Sequence, residues 1–255
     1  MTQIKELLKK IRNFIFIFLE NNPKAKIAYL GFAMRLADAG IRPPLTGGSE
    51  LFLNNWSNQT RQDSTYNPEI YVKEDNSLEL LFKDILPYLE PEDEILEVGC
   101  NCGRSLNYLY NKGFSNLSGI EIGQDAVDLM KETFPEMYKN SKIEVGNAPE
   151  LLLKHDTRKY KLVFCHSVLV NIPTNFNYVF REMARVSSKY IITLENEASF
   201  NAYPRNFQKK FESEGFKMVT YKYYTPKKDG GLNIPNHWTA NDMLTNNVLR
   251  IFVRK

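Results

Sequence analysis

Short apolar segments alternate with helix-forming segments from about residue 78 to residue 255, and this alternation constrains the fold more than any other feature of the chain. The apolar segments have the length of strands, and the segments between them carry apolar residues at helical spacing. Strands that alternate with helices in this way form a parallel sheet covered by helices on both faces. The sequence therefore predicts a Rossmann-like, doubly wound α/β sheet.

Seven strands and five helices are predicted in this region. The predicted strands span residues 95–98, 117–122, 142–145, 161–165, 190–194, 216–223 and 248–253. The predicted helices span residues 78–89, 104–111, 125–133, 175–185 and 206–214. No helical pattern separates the last two strands, so we expect them to form an antiparallel pair at the edge of the sheet.

The first 50 residues have a different pattern and are predicted to form a helical extension. Apolar residues recur at helical spacing through residues 2–20, and a second helix is predicted at residues 24–39. The apolar stripe of the first helix needs burial. We favour docking on the core or on a partner chain, such as a second copy in a homo-oligomer. A peripheral contact with a membrane surface remains the alternative. Residues 51–255 then form the sheet domain, with the polar segment 224–246 as an inserted loop or lid.

Charge, hydropathy and cysteine content narrow the functional classes. The net charge is only +3 and no dense basic patch is present, so no nucleic-acid partner is expected. The longest purely apolar run has six residues, whereas roughly 20 are needed to cross a bilayer, so no transmembrane segment is expected. An odd count of three cysteines does not suit a disulfide framework. A reducing, cytoplasmic location is therefore expected.

The turn that follows the first predicted strand contains two glycines, Gly99 and Gly103. Ligands of doubly wound sheets bind at the carboxyl ends of the strands, and a glycine there lets a ligand approach the backbone. Glu121 ends the next strand, where a carboxylate can accept hydrogen bonds from both hydroxyls of a ribose. The spacing between the turn and Glu121 corresponds to one helix and one strand, so the two features support each other.

The same turn departs from the dinucleotide-binding pattern G-x-G-x-x-G, because Asn101 replaces the middle glycine and Arg104 follows Gly103. Glu97 stands two residues before Gly99, where a carboxylate would repel a pyrophosphate but would attract an ammonium group. The turn therefore favours an adenosine that carries an amino acid over one that carries phosphates.

Four motifs in order resemble the motif series of class I S-adenosylmethionine-dependent methyltransferases. They are EVGCNCG with Glu97, GIEIG with Glu121, VGNAPEL with Asn147, and KLVFCHSVLVNIP with His166. The resemblance covers roughly residues 75–200. It implies a seven-stranded sheet with an antiparallel last strand, S-adenosyl-L-methionine as the cofactor and S-adenosyl-L-homocysteine as the product.

The resemblance also implies roles for individual residues. Glu97 and the turn would hold the methionine end of the cofactor, through Gly99, Cys100, Asn101 and Gly103. Glu121 would bind the ribose, with Ile122 against the adenine. Asn147, where the family usually has Asp, would reach the adenine amino group through its acceptor oxygen, beside Ala148. His166 and Ser167 would line the cofactor near its methyl end.

Catalytic and acceptor-binding residues are less constrained by the sequence. His166 follows the fourth strand and is a candidate general base or a packing residue. Glu195 follows the fifth strand and is a candidate for orienting the acceptor. Tyr203 and Arg205 are candidates for an anionic or sugar-like acceptor, and His237 stands in the polar segment. From the segment before the core, Trp56, Arg61 and Tyr66 are candidates for closing over the cofactor. Trp56 could also contact the acceptor, and Arg61 could pair with the methionine carboxylate.

The sequence details GCNCGRSLNYL and EMARVSSKYIITLENE resemble bacterial enzymes that modify small polar metabolites, including those of surface-glycan pathways such as capsule or lipopolysaccharide biosynthesis. The expected function is methyl transfer to an oxygen or nitrogen of a small-molecule acceptor. The alternatives are a lipid- or quinone-directed methyltransferase and an inactive, cofactor-binding regulatory subunit. Cys100 and Cys102 are expected to fill the turn without binding metal, because a structural zinc site needs about four ligands.

Overall fold

The computed structural model of the protein describes residues 2–46, 49–58, 67–73, 76–197, 202–226, 232–233 and 247–255. The helices are α1 Thr2–Glu20, α2 Pro23–Asp38, α3 Ser49–Ser57, α4 Asn76–Phe82, α5 Arg104–Asn111, α6 Gln124–Thr133, α7 Pro135–Lys139, α8 Ala148–Leu152, α9 Val179–Val186 and α10 Phe207–Ser213. The strands are β1 Ile95–Val98, β2 Leu117–Glu121, β3 Lys142–Val145, β4 Tyr160–His166, β5 Ser187–Glu195, β6 Phe216–Pro226, β7 Leu232–Asn233 and β8 Asn247–Arg254.

One sheet organises the described part of the chain, with the strand order β3-β2-β1-β4-β5-β8-β6-β7. Strands β1 to β5 pair in parallel, whereas β8 runs antiparallel to both of its neighbours. The two-residue β7 pairs only with the end of β6. The predicted Rossmann-like α/β sheet with an antiparallel last strand is therefore confirmed, as is the presence of N-terminal helices.

The last two predicted strands form the expected antiparallel pair, β6 with β8, at one end of the sheet. Strand β8 lies between β5 and β6, so that Leu249 pairs with Leu194 on one side and with Lys222 on the other. Side chains on both faces of β8 are buried, including those of Leu249 and Phe252. A strand that is apolar on both faces fits the interior of a sheet better than its edge.

Two apolar layers cover the two faces of the sheet. On one face, Phe82 of α4 and Leu106 of α5 pack with Phe164 of β4. On the other face, Phe180 of α9 and Phe211 of α10 pack at a ring separation of 5.5 Å. This arrangement leaves the carboxyl ends of β1, β2 and β4 as the open edge at which a ligand can bind.

Two predicted helices are shorter than the sequence pattern indicated. The helix predicted at residues 78–89 ends at Phe82 as α4, and a 3₁₀ turn follows at Leu86–Tyr88. The α-helix does not continue to residue 89 because Pro87 cannot sit in a helix interior. The helix predicted at residues 175–185 begins only at Val179, after the 3₁₀ turn Thr174–Phe176. Helices α3, α7 and α8, and a 3₁₀ turn at Pro68–Tyr71, were not predicted.

The two N-terminal helices differ in how they dock. Helix α2 buries Leu30, Ala33 and Ala37, and Asn177 donates a hydrogen bond of 2.7 Å to the Ala37 carbonyl. Helix α1 is covered mainly around Leu19, and its predicted apolar stripe is exposed wherever its side chains are described. The expectation that this stripe docks on the chain's own core was therefore wrong. No helix in the described ranges combines the length and the apolarity of a bilayer-crossing span.

Candidate functional site

The turn after β1 folds back onto the next strand. The amides of Gly99 and Cys100 both donate to the Ile120 carbonyl, at 2.8 and 3.0 Å. Gly99, Asn101 and Gly103 all have positive φ, at 75°, 45° and 80°. Such backbone angles suit glycine, and asparagine tolerates them better than most residues do. The sequence of the turn therefore fits the conformation that the site requires.

Gly99 is also needed because there is no space for a side chain. A Cβ atom at this position would lie 2.4 Å from a γ-carbon of Val168, in the turn after β4. The turns after β1 and β4 thus touch directly at Gly99. Gly103 is packed in the same manner against Met130 of α6, where a Cβ would lie 2.7 Å from the side chain. Gly103 therefore shapes the turn from behind and does not line the cavity.

Glu97 is a buried carboxyl group near the end of β1, with 3% of its surface exposed. Burial raises its pKa to about 8, although a hydrogen bond with Ser105 and the charge of Arg104 oppose the shift. Its Oε2 atom has no hydrogen-bond partner among the described residues. An unpaired buried carboxylate oxygen is costly unless a ligand donates to it. Glu97 therefore marks where a cationic or donor group would bind.

Glu121 ends β2 beside the turn. Its two carboxylate oxygens accept hydrogen bonds from the backbone amides of Asn101, at 2.7 Å, and Gly123, at 2.8 Å. Burial raises its pKa, and these amide donors oppose the shift. A carboxylate has about four acceptor positions, so oxygens held in this way can still accept further donors. The amides thus fix the carboxylate in one orientation at the edge of the cavity.

The turn after β3 forms the next wall. The Gly146 amide donates to the Glu121 carbonyl at 2.7 Å, which holds this turn against the end of β2. The half-buried Asn147 donates through Nδ2 to Glu150, at 3.1 Å. Ala148 and Pro149 open α8 as its first two residues. The Asn147 side chain is thus held at the helix start by a partner on the same helix.

The turn after β4 is held in place by Glu195. His166 ends the strand, and Ser167 has a φ of 59°, which is unusual for a residue with a side chain. The fully buried carboxylate of Glu195 accepts from the backbone amides of Val168, at 2.8 Å, and Leu169, at 3.0 Å. Burial raises the pKa of Glu195 to about 7, and these backbone donors oppose the shift. Glu195 therefore fixes the loop that carries His166.

These turns enclose a cavity of about 420 Å³ at the carboxyl ends of β1, β2 and β4. The residues that line it and were predicted as site residues are Glu97, Gly99, Cys100, Asn101, Glu121, Ile122, Asn147, Ala148, His166, Ser167 and Trp56. The structure thus brings together most of the side chains that the sequence assigned to one ligand. It also adds a further wall from the segment before the core, formed by Leu53, Trp56, Ile70 and Tyr71.

Four predicted residues in the described part of the chain do not line the cavity, namely Gly103, Tyr203, Arg205 and Glu195. Tyr203 and Arg205 are fully buried, and the Arg205 guanidinium donates to Asn177 Oδ1 at 2.7 Å and to the carbonyls of Leu169, Tyr203 and Ile172. The guanidinium is fully buried and Arg205 does not line the cavity, so the structure contradicts its assignment to the acceptor. Glu195 likewise lies behind the lining. His237, Arg61 and Tyr66 lie outside the described residues.

Several lining residues were not predicted. Asn171 donates to the Ser167 carbonyl at 3.0 Å, and Arg104 donates to the Lys73 carbonyl at 2.8 Å. Asn247, at the start of β8, also lines the cavity. One local signal was present at residues 67–68, where an Asn-Pro pair marks a turn start and the Asn67 side chain caps the Glu69 amide at 2.8 Å. Asn171 and Asn247 reach the site only through tertiary folding.

A second histidine, His155, lies outside the cavity. Its imidazole lies 2.7 Å from a Glu144 oxygen and 3.1 Å from the Tyr160 hydroxyl. Only 7% of its side chain is exposed. His155 is thus a packing residue outside the cavity, which leaves His166 as the histidine in the described lining.

The three cysteines are free and buried. Burial raises the pKa of Cys102 to about 11 and that of Cys100 well above its usual value. In the described part of the chain, no group of three His, Cys, Asp or Glu side chains is arranged to hold a metal ion. The Cys100 sulfur packs near Gly119, where an added Cβ would lie 2.7 Å away. Cys100 and Cys102 are therefore small packing residues of the turn.

Replacement of both Cys100 and Cys102 by Ala is therefore expected to change the affinity for S-adenosylhomocysteine by no more than a few-fold. The thiols supply volume at this position, and Ala avoids burying an unpaired hydroxyl. Calorimetric titration and elemental analysis of wild-type and variant proteins test this expectation. A large loss of affinity together with loss of a bound metal would contradict it.

Comparison with known proteins shows what part of the chain is similar to. Residues 95–189 match the family model described as a methyltransferase domain. A probable mRNA-capping enzyme of Acanthamoeba polyphaga mimivirus is 24% identical over 147 residues, which are 53% of this chain. The match spans 12% of that enzyme's length.

Solved structures share the fold at low identity. Magnesium protoporphyrin IX methyltransferase from Synechocystis PCC 6803 with bound S-adenosylmethionine superposes with a TM-score of 0.55 at 13% identity, covering 82% of this chain and 92% of that one. Geranyl diphosphate C-methyltransferase from Streptomyces coelicolor A3(2) superposes with a TM-score of 0.57 at 12% identity, covering 81% and 97%. The family model thus matches residues 95–189, and the described chain shares the fold of these two methyltransferases.

Proposed function

We propose that the protein binds S-adenosyl-L-methionine in the 420 Å³ cavity and transfers a methyl group to an oxygen or nitrogen of a small polar acceptor. The observation that carries this proposal is the pair of buried carboxylates, Glu97 and Glu121, that line one cavity. A pocket that holds two buried carboxylates suits a ligand with a cationic end and a hydroxyl-bearing part. The amino acid and the ribose of the cofactor provide these two groups.

The residues present fit the cofactor. The unpartnered Oε2 of Glu97 would accept a hydrogen bond from the amino-acid ammonium group, which is a charge-assisted and therefore strong interaction. Glu121, fixed by the amides of Asn101 and Gly123, would accept from the ribose hydroxyls. Ile122 and Ala148 would contact the adenine, and Asn147 would accept from the adenine amino group. S-adenosylhomocysteine carries the same ammonium, ribose and adenine groups and would leave as the product.

When bound, the cofactor supplies an electrophilic methyl carbon attached to a sulfonium sulfur. The protein's own contribution is to hold the acceptor in line with that carbon and to exclude water. His166 lines the cavity and would accept a proton from an acceptor hydroxyl or amine as its nucleophile reacts. Glu195 acts indirectly, because it holds the backbone of the turn that carries His166.

The acceptor class is proposed from the polar groups in the lining. His166, Asn171 and Asn247 supply polar donors and acceptors at the cavity, and Trp56 supplies a flat apolar surface. This combination suits a hydroxyl-rich or amine-bearing metabolite, such as a sugar precursor of a bacterial capsule or lipopolysaccharide. The net charge of +3 gives little electrostatic attraction for RNA, and three buried free thiols suit the cytoplasm.

A lipid- or quinone-directed methyltransferase is the second candidate, favoured by the exposed apolar stripe of α1. A cofactor-binding subunit without turnover is the third candidate.

These three candidates are distinguished by methyl transfer from labelled S-adenosylmethionine to four separate acceptor sets. The sets are sugar nucleotides and amino sugars, quinones, phospholipids, and capped RNA. Transfer to the first set supports the proposal. Transfer only to another set, or binding of S-adenosylhomocysteine with no transfer to any set, overturns the proposed acceptor class.

The same assay tests His166. The variant His166→Gln is expected to lower turnover by roughly 100-fold or more, which is typical for loss of a general base, while cofactor affinity stays within a few-fold. His155→Gln is the matched control, because His155 packs outside the cavity against Glu144. Unchanged turnover in His166→Gln would show that His166 is a packing residue and not a general base.

A further inference from the structure

Helix α1 presents an apolar stripe to solvent. Leu7, Ile11, Phe14, Ile15 and Phe18 are all exposed, with 72% of Phe14 and 58% of Leu7 accessible. Their spacing of three and four residues places them on one face of the helix. Exposed contiguous apolar surface of this kind marks a binding surface in soluble proteins. These five residues are called the α1 stripe below.

The α1 stripe faces outward because the opposite side of the helix is anchored. Leu19 of α1 packs with Leu30 of α2 and with Leu45. Helix α2 is fixed to the core through the Asn177–Ala37 hydrogen bond and through an ion pair between Lys210 and Asp38 at 3.4 Å. The hairpin of α1 and α2 is thus tied to the domain on one side, and the α1 stripe points away from it.

The charges of α1 indicate what covers the stripe. The helix carries four basic residues, Lys5, Lys9, Lys10 and Arg12, against two acidic residues, Glu6 and Glu20. Glu20 is paired with Lys26 of α2 at 2.9 Å, so its charge is compensated within the hairpin. Lys10 and Arg12 are exposed. A second copy of this helix would bring the same excess of positive charge to the contact, whereas an anionic lipid surface would complement it.

We infer that α1 docks in the interface of an anionic lipid bilayer, with the α1 stripe at the acyl-chain boundary and the exposed Lys10 and Arg12 among the headgroups. Burial of Phe and Leu side chains at that depth favours membrane binding. Each basic residue near an anionic surface strengthens the binding further through electrostatic attraction. Such a helix lies in the plane of the membrane. The inference rests on the surface of α1 and is independent of which acceptor the cavity binds.

Co-sedimentation of the full-length protein with lipid vesicles tests this inference. Wild-type protein is expected to sediment with vesicles that contain phosphatidylglycerol, and much less with vesicles of phosphatidylcholine alone. The triple variant Leu7→Ser/Phe14→Ser/Phe18→Ser is expected to lose at least about tenfold in partitioning, because three exposed apolar side chains are removed. Lys10→Glu/Arg12→Glu is expected to lose the preference for anionic vesicles. Added salt should weaken wild-type binding.

A matched control removes equally exposed apolar side chains elsewhere. Tyr88→Ser/Leu153→Ser changes residues that are 64% and 54% exposed and lie outside α1, so its vesicle binding should equal that of wild type. Failure of wild type to bind anionic vesicles would overturn the inference, as would equal loss in the control variant. A dimer in light scattering that the triple variant converts to monomer, without vesicle binding by either protein, would assign the α1 stripe to self-association instead.

Discussion

Replacement of Glu97 by Gln is expected to weaken the binding of S-adenosylhomocysteine by roughly 100-fold, because the variant loses a charge-assisted hydrogen bond to the ligand ammonium in a buried site. Gln preserves the size of the side chain and its place beside Ser105. The loss therefore reports the charge and not the shape of the cavity. Calorimetric titration near pH 8.5 measures it, since the wild-type carboxyl group, with a pKa of about 8, is then mostly ionised without ligand.

The free energy of unfolding of Glu97→Gln is not expected to fall. The pKa of Glu97 is raised above its unfolded value, so ionisation of this group makes the ligand-free protein less stable as pH rises from about 4.5 toward 8. Gln carries no such charge, and Glu97→Gln should be at least as stable as wild type at pH 8.5. Glu182→Gln is the control: it alters a buried carboxylate that pairs with Arg185 at 2.6 Å, away from the cavity, and should leave affinity unchanged. Equal affinities of wild type and Glu97→Gln for S-adenosylhomocysteine would contradict the proposal that Glu97 binds the ligand ammonium.

Replacement of Gly99 by Ala is expected to lower the free energy of unfolding by about 3 kcal/mol. Two costs combine at this position. The φ of 75° is unfavourable for any residue with a Cβ, and the new Cβ would lie 2.4 Å from Val168. Relief of this contact must move the turn after β1 or the turn after β4, and both line the cavity. Affinity for S-adenosylhomocysteine should therefore fall as well. Urea denaturation and calorimetry measure the two effects.

Gly113→Ala separates these costs. Gly113 has a φ of 94°, but an added Cβ there would meet nothing within 4 Å. The free energy of unfolding of this variant should fall by only about 1 kcal/mol. Its affinity for S-adenosylhomocysteine should not change. The double variant Gly99→Ala/Val168→Ala should lose less stability than the sum of its single variants, because removal of the Val168 methyls makes room for the Cβ. Equal destabilisation by Gly99→Ala and Gly113→Ala would show that the contact with Val168 has no energetic consequence.

The fold was largely predictable because its signals are local. Helix α5 was predicted at the residues where it occurs, and β1 and β3 likewise. The insertion of β8 between β5 and β6 was not predictable from its own residues, because strand order is decided by which surfaces pack together. The same reason applies to the wall formed by Ile70 and Tyr71, which precedes the sheet in sequence and meets the cavity only through tertiary contacts.

The cavity lining that follows β1 and β2 was predictable, whereas the positions of residues after β5 were poorly predictable. Glu97 and Glu121 are placed by strands and a turn whose spacing is visible in the sequence. Arg205 was assigned to an anionic or sugar-like acceptor from its position after β5. In the structure, its guanidinium instead bonds to carbonyls of the turns after β4. Sequence gives no sign of whether an arginine after a strand points outward or caps buried carbonyls. Glu195 was likewise assigned to the acceptor. In the structure, its carboxylate instead accepts from the backbone amides of Val168 and Leu169.

Proton release on ligand binding tests the central claim most directly. Ligand-free Glu97, with a pKa of about 8, is mostly protonated at pH 7 and must ionise to hold the ammonium of S-adenosylhomocysteine. Binding at pH 7 is then expected to release roughly 0.9 proton per site, and the release should fall as the pH is raised through 8. Calorimetric titration in buffers of different ionisation enthalpy measures this number. Absence of binding would contradict the assignment of the cavity. Binding whose proton release is near zero at pH 7 and does not change with pH would contradict the ionisation of Glu97 on binding.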